Sequence, residues 1–246
     1  MLHIKDLNFS YSNNTILEDI NLKLEEDSFN IIVGPNGGGK STIGKILSNL
    51  IVPDSGTIKY DKKELKSCIV FQNPYHQFVR TKVYDDMAFT LETQQLSTED
   101  IDLKIKSISK EFNILNLLDI EIMNLSGGQL QKVAIVKSLL SNPNLLVLDE
   151  SIDMLDPISK DSFVKKLREY SKFNNIIMIY ITHDMELALL ADNIFLLNNS
   201  IIYQEEPMKF FEFKDLDKYN ITIPYSYTLH KKLNIKFGTF EEIYGN

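Results

Sequence analysis

Three short stretches carry the residue types that hold phosphate and activate water. The first is Gly34-Pro35-Asn36-Gly37-Gly38-Gly39-Lys40-Ser41-Thr42, a glycine loop that ends in a lysine and two hydroxyls. Its spacing, glycine, four residues, then Gly-Lys-Ser, is that of a polyphosphate cradle when a strand precedes it and a helix follows. Glycines let successive backbone N–H groups converge on an anion. Lys40 adds a point charge for the outer phosphates, and Ser41 offers its hydroxyl to Mg²⁺.

The second stretch, NLLVLDES, sets Asp149 and Glu150 at the end of an apolar run. Open α/β sheets bind ligands at the carboxyl ends of their strands. Asp149 is the expected holder of the magnesium shell, and Glu150 the group that orients or deprotonates water. Read alone, the two acids also fit a solvated strand end; beside a phosphate loop each motif supplies what the other needs. His183 ends a further apolar run, YITHD, and Gln72 follows another, VFQNP. His183 is placed to meet the γ-phosphate and the water, and Gln72 to join the metal and water network.

The third stretch is Leu125-Ser126-Gly127-Gly128-Gln129, a second glycine pair at the mouth of a second helix. Ser126 is a good N-cap. Two glycines in a first helical turn cost about 1 kcal/mol each against alanine. They are explained if backbone N–H groups must approach an anion. One nucleotide in this chain already has a cradle, so the second anion is expected to belong to another subunit, with two copies head to tail.

The elements that position these residues follow from hydrophobic periodicity. Leu2 and Ile4, then Ile20, Leu22 and Leu24, alternate with polar residues, as half-buried strands do. Phe29 to Val33 is continuously apolar, the mark of a strand covered on both faces. Ile43, Ile46, Leu47 and Leu50 then recur at helical spacing, so the glycine loop opens a helix whose N-terminus favours anions. SGTIKY and SCIVFQ read as short strands, and the period turns helical from Val83 to Leu118, with Thr98 as a cap. The LSGG helix is expected to end near Leu140 at Asn-Pro, and another helix to span Pro157 to Tyr170. NIIMIYI is a further buried strand, MELALLA a short helix, and NIFLL with SIIYQ a hairpin around Asn198-Asn199. The expected fold is α/β: a mainly parallel sheet, an N-terminal antiparallel β part, an inserted helical subdomain over about 73–140, and a C-terminal extension over 207–246.

Composition limits the function classes. The 246 residues are 43% hydrophobic and 24% charged, as in a soluble globular protein. Net charge is −8, and Arg80 and Arg168 are the only arginines, which argues against a broad nucleic-acid surface. Cys68 is the single cysteine, so no intrachain disulfide can form. No apolar run is long enough to cross a bilayer. Any membrane role is expected to come through partners, at the cytoplasmic face and peripherally.

With these motifs in this order, residues 1–206 resemble P-loop NTPases of the ATP-binding cassette (ABC) type. GPNGGGKST resembles their Walker A loop, Gln72 the Q-loop, LSGGQ the family signature, LLVLDE Walker B, SIDMLD the D-loop and His183 the switch histidine. The resemblance implies that Tyr11 stacks on adenine. It also implies that ATP and Mg²⁺ are sandwiched between the phosphate loop of one subunit and Ser126 to Gln129 of another. VFQNPYHQFVRTKVYDDMAFTLE and DESIDMLDP are similar to the energy-coupling factor (ECF) transporter ATPases, nearer the first of the two paired ATPases. That implies a second ATPase, identical or a paralogue, a membrane T component and a substrate-binding S component, and uptake of a vitamin or metal ion. Among Asp85, Asp86 and Glu92, one is expected to pair with a basic residue of the T component, unless all three are simply solvated.

Departures from the pattern are Asp153 where the D-loop usually has serine, Tyr75-His76 for Asp-Asn, and Lys132 for arginine. None removes a phosphate, magnesium or water ligand, so ATP hydrolysis is expected. The competing readings are the ATPase of a conventional ABC transporter, a soluble cassette protein acting on ribosomes or DNA, and a non-hydrolysing regulatory subunit. Lys40, Glu150 and His183 argue against the last.

Overall fold

Apolar alternation, stepped by an irregularity between Ile4 and Leu7, builds the first sheet in the computed structural model, which describes residues 1–62, 64–92 and 94–233. Strand β1 (Leu2–Tyr11) pairs antiparallel with β2 (Asn14–Leu24), setting Leu2 opposite Leu24, Ile4 opposite Leu22 and Leu7 opposite Ile20. All six side chains are buried. The chain then enters a second sheet as β3 (Phe29–Val33), forms helix α1 (Lys40–Leu47) and returns as β4 (Ser55–Tyr60) to the free edge of β1. Helix α1 is shorter than its apolar spacing predicts. Asn49 takes a left-handed conformation, φ 57°, which ends the helix, and Leu50 is left 57% exposed.

The rest of the chain supplies β5 (Ser67–Val70), α2 (Val83–Glu92), α3 (Thr98–Glu111), α4 (Gly127–Leu139), β6 (Leu145–Asp149) and α5 (Pro157–Phe173). After these come β7 (Ile177–Ile181), α6 (Met185–Ala188), β8 (Asn193–Asn198), β9 (Ser200–Glu205), α7 (Pro207–Phe210) and α8 (Tyr225–Leu233). The second sheet runs β5-β6-β7-β3-β8-β9. Its first five strands are parallel, and β9 closes the edge as the antiparallel arm of the expected hairpin.

Unbroken apolar runs make sense here because the sheet separates two cores. Along β6, Leu145 and Val147 face the core shared with α1 and the antiparallel sheet; Leu146 and Leu148 face the core of α2 to α5. In β7, Ile177, Ile179 and Ile181 take the first side, Met178 and Tyr180 the second. Exposing one such side chain would forfeit roughly 2 kcal/mol, so both faces must be covered.

Two expectations change in the helical part. The N-cap of α3 is Ser97, not Thr98: Ser97 is extended and its hydroxyl accepts from Asp100 N at 3.1 Å, while Thr98 is already helical. Asp86 is fully buried, with Lys137 of α4 at 2.5 Å, and it accepts from the backbone of Val79 and Arg80. It is therefore committed inside the chain and is neither solvated nor free for a partner's base; Asp85 and Glu92 are exposed. Removing one partner from such a buried pair typically costs about 3–5 kcal/mol. In the C-terminal extension, Phe210, Phe211, Leu216, Ile221 and Tyr227 are buried. The N-terminus of α8 is tied to α6, where Glu186 accepts from the backbone of Tyr225 and Ser226. Residues 234–246 of the expected extension lie outside the described residues.

Candidate active site

Parallel β3, β6 and β7 deliver their carboxyl ends to one edge of the sheet, and the glycine loop with Lys40 and Ser41, then Asp149, Glu150 and His183, gather there. After Val33 the chain turns through Gly34 at φ 148°, where a Cβ would lie 2.0 Å from the carbonyl oxygen of Leu197 in β8. Gly39, which precedes α1, has φ 95°, and its Cβ would meet Leu17 at 2.6 Å. Glycine is required at both for backbone reasons. The loop is also braced from behind. Asn199, in the β8–β9 turn, donates its N–H to Gly38 O at 3.0 Å and its side-chain amide to the carbonyls of Thr15 and Ile16. Pro35 is half-buried and Asn36 and Gly37 are exposed, whereas Gly38, Gly39 and Thr42 lie on the buried floor.

Lys40 is buried, and its ammonium donates to the carbonyls of Gly34 and Pro35 at 2.8 and 2.9 Å. Burial lowers its pKa, and the nearby Glu150 and Asp149 oppose that shift. A desolvated ammonium beside a glycine loop is a strong anchor for an anion. Ser41 donates to Asp149 Oδ1 at 3.1 Å. Burial pushes the Asp149 carboxyl above its ordinary range, opposed first by the Ser41 hydrogen bond and reinforced by Glu150. A hydroxyl and a carboxylate in contact form a hard-oxygen pair of the kind that suits Mg²⁺.

Glu150 has a left-handed backbone, φ 51°, which costs a non-glycine residue about 1–2 kcal/mol. Its N–H donates to Ile181 O of β7 at 2.9 Å, which holds the turn. The result places Glu150 Oε1 3.3 Å from Nε2 of His183, whose side chain is half exposed. A carboxylate and an imidazole in contact, open to solvent, can share the proton of an attacking water.

The structure leaves the third stretch apart from this cluster. Ser126 and Gln129 form a reciprocal capping box on α4, with bonds of 3.3 and 2.9 Å. A Cβ on Gly127 would meet Met154 Sδ at 2.9 Å, and one on Gly128 would meet Leu155 and Met154 O at 3.1 and 3.2 Å. These glycines therefore admit the Ser151–Asp156 turn against the helix mouth, a reason for glycine that the sequence reading did not contain. Tyr11 is 47% exposed and packs edge-on to Phe9 at 4.8 Å. Gln72 is exposed, and its carbonyl accepts from Gln131.

Two positioning residues escaped the sequence reading. Asn199 was visible only as a turn residue. Gln131, fully buried in α4, donates to Gln72 O at 3.3 Å and accepts from Met154 N at 3.2 Å, joining the segments after β5 and β6. A glutamine on the apolar side of a helix was its one signal.

A family model for ABC transporters matches residues 17–153. An energy-coupling factor transporter ATP-binding protein EcfA1 of Mesomycoplasma hyopneumoniae (strain J) is 37% identical over 98% of this chain and 94% of its own length. The EcfA1 protein of Bacillus subtilis (strain 168) is 34% identical over 98% and 92%. Among solved structures, cbiO1 from Clostridium perfringens, part of the ABC transporter complex cbiONQ, superposes with a TM-score of 0.78 at 31% identity, covering 94% of this chain and 98% of that one. A dimeric ATP-binding cassette, MJ0796, bound to ADP and Pi after hydrolysis, shares the fold with a TM-score of 0.75 at 22% identity, covering 84% of this chain and 99% of its own. The chain belongs to the ABC transporter family, among its energy-coupling factor ATP-binding proteins, and is an ATPase that serves transport.

Proposed function

We propose that this ATPase works as one half of a dimer in which ATP and Mg²⁺ lie between Gly34 to Thr42 of one subunit and Ser126 to Gln129 of the other. The observation that carries the reading is the Glu150–His183 contact, beside the Ser41–Asp149 pair at the edge of one parallel sheet. Tyr11 stacks on the adenine, and Lys40 moves from the loop carbonyls to the outer phosphates. Ser41 and Asp149 would hold Mg²⁺, with Gln72 completing the set, and the chemistry it would supply there is neutralisation of charge on the phosphates. Glu150 then accepts a proton from the attacking water, and His183 holds the γ-phosphate and the water in line.

In the same reading, residues 1–206 form the ATP-binding domain and 207–246 an extension. The second ATPase is a paralogue or an identical chain. ATP-driven closure moves Gln72 and the helical segment over about 73–140, and so drives a membrane T component and a substrate-binding S component. The cargo class is a vitamin or metal ion. Among the described residues no helix is long and apolar enough to cross a membrane, in keeping with a peripheral subunit at the cytoplasmic face.

The test is phosphate release by the full-length chain, compared between a strictly monomeric preparation and the complex captured from membranes. Turnover confined to the complex is expected, with a second ATPase and membrane chains among the captured proteins. Equal turnover by the monomer would overturn the shared site.

A further inference from the structure

The Ser151–Asp156 turn carries a carboxylate, Asp153, where resemblance to the family leads one to expect serine. Its Oδ1 accepts from the hydroxyl of Tyr180 at 2.8 Å and lies 3.4 Å from the ammonium of Lys160. Tyr180 belongs to β7, three residues before His183, and is fully buried. Burial, reinforced by the Asp153 charge, pushes its phenol far above the ordinary range, so the proton stays in the bond. Lys160, on α5 and largely buried, also donates to Asp184 Oδ2 at 2.6 Å.

Asp184 directly follows His183 and is itself held on both sides. Its N–H donates to Thr182 Oγ1, and its Oδ1 accepts from the backbone of Glu186 and Leu187. One carboxylate of the turn is therefore tied to the chain just before His183, through Tyr180, and just after it, through Lys160 and Asp184. A serine at 153 carries no charge for Lys160 and a shorter side chain for Tyr180. Moving the turn away costs the phenol its carboxylate acceptor and the ammonium one of its two carboxylates.

We infer that Asp153, Lys160 and Tyr180 are positioning residues that lock His183 to the Ser151–Asp156 turn, so that His183 takes its working place against Glu150 only when that turn is seated. This rests on the proposed role of His183. In the dimer read above, the turn lies beside the helix mouth formed by Gly127 and Gly128 and so at the shared seam. A charged strap thus runs from that helix mouth to the histidine.

The experiment measures kcat, KM for ATP and thermal midpoint on the full-length chain in its membrane complex. Lys160→Met is expected to lower kcat about tenfold with KM within about twofold. Lys160→Arg, which keeps charge and reach, is expected to return kcat to within about threefold of the parent. Asp153→Ser, which cuts both arms of the strap, is expected to lower kcat at least as far as Lys160→Met, and the double variant to be no worse than Asp153→Ser alone. If Lys160→Met does not fold, Asp153→Ser, at a half-exposed position, decides alone by the same readings. Unchanged kcat, a loss carried by KM, or losses that add independently would each overturn the strap. His183→Ala is the control. If it retains turnover, the role assigned to His183 fails and the strap with it; if it abolishes turnover while Lys160→Met does not slow the enzyme, the strap alone fails.

Discussion

The phosphate loop and the helix mouth at Ser126 use glycine for opposite reasons. At Gly34 and Gly39 the backbone is left-handed or nearly so, and neighbouring atoms of β8 and β2 forbid a side chain. Asn199 fixes the loop from behind, donating its N–H to Gly38 O. At Gly127 and Gly128 the backbone is ordinary helix, and the absent side chains leave room for Met154 and Leu155. One region is a loop braced by the rest of its own chain. The other is a helix end whose polar groups cap themselves while its rim, Ser126 and Gly127, faces solvent. In the proposed reading the first holds a nucleotide within its own chain, and the second is the face offered to the nucleotide of another subunit.

The largest expected effect separates chemistry from binding. Glu150→Gln keeps the shape and loses the base. Turnover should fall about a thousandfold, as general bases of this kind contribute roughly 10²–10⁴. ATP affinity should remain, since Lys40 and the loop are untouched. Phosphate release and equilibrium nucleotide binding check both halves. Near-parent turnover would place the base elsewhere.

Next comes the glycine contrast itself. Gly34→Ala drives a Cβ into a backbone carbonyl at 2.0 Å, which no rotamer can relieve. A stability loss of about 2–3 kcal/mol and loss of ATP binding are expected. Gly128→Ala meets contacts of 3.1 and 3.2 Å and gains helix propensity. Its gain of about 1 kcal/mol is offset by crowding, leaving stability nearly level. ATP affinity should survive while turnover in the complex drops. Equal loss of ATP affinity in both variants would erase the distinction between a cis cradle and a trans face.

What the sequence disclosed follows the range of the forces involved. Lys40, Ser41, Asp149 and Glu150 sit in contiguous motifs, and the strands that carry them announce themselves by unbroken apolar runs. The β8–β9 hairpin was legible from Asn198-Asn199, but the brace it provides was not. Asn199 reaches Thr15 and Ile16 across 184 and 183 positions, and no local period encodes such a contact. Asp86 misled for a related reason: its exposed-looking helix position hides an ion pair to Lys137, fifty-one residues on. Gln131 broke the apolar pattern of α4, a signal without a direction until Gln72 and Met154 were seen on either side. The error at Ser97 and Thr98 was of another kind, since two adjacent hydroxyls both satisfy the capping pattern and only backbone conformation chooses between them.

A smaller effect tests the cost of building the cradle in advance. The Asp149 carboxyl is raised by burial, so the folded chain binds its proton more tightly than the unfolded chain does. Its contribution to stability is therefore full below the unfolded value of about 3.8 and is lost as pH rises through the raised value. Asp149→Asn, neutral throughout, should be more stable than the parent at neutral pH and equal to it in the acid range. Turnover should be lost at every pH. Thermal melts of the nucleotide-free chain across pH 3 to 8 read the difference, and an acid-side advantage for the variant would reverse the sign of the argument.

The smallest expected effect compares two helix mouths that are chemically alike. Ser97 caps α3 by accepting from Asp100 N at 3.1 Å, and Ser126 caps α4 by accepting from Gln129 N at 3.3 Å. Each change to alanine should cost about 1 kcal/mol of stability, the usual value of a cap. As a cap, each serine uses only acceptor capacity, and a hydroxyl still has one proton to give. The proton of Ser97 is already donated to Asp100 Oδ2 at 2.7 Å. In the proposed dimer that of Ser126 goes to an anion brought by another subunit, a bond to a charged group worth about 1.5–3 kcal/mol. Ser97→Ala should therefore melt earlier and turn over normally, whereas Ser126→Ala should melt equally early and lose about tenfold or more in turnover. Because the stability losses match, any difference in phosphate release isolates what the second glycine motif does beyond starting a helix. Equal turnover in the two variants would reduce Ser126 to a cap.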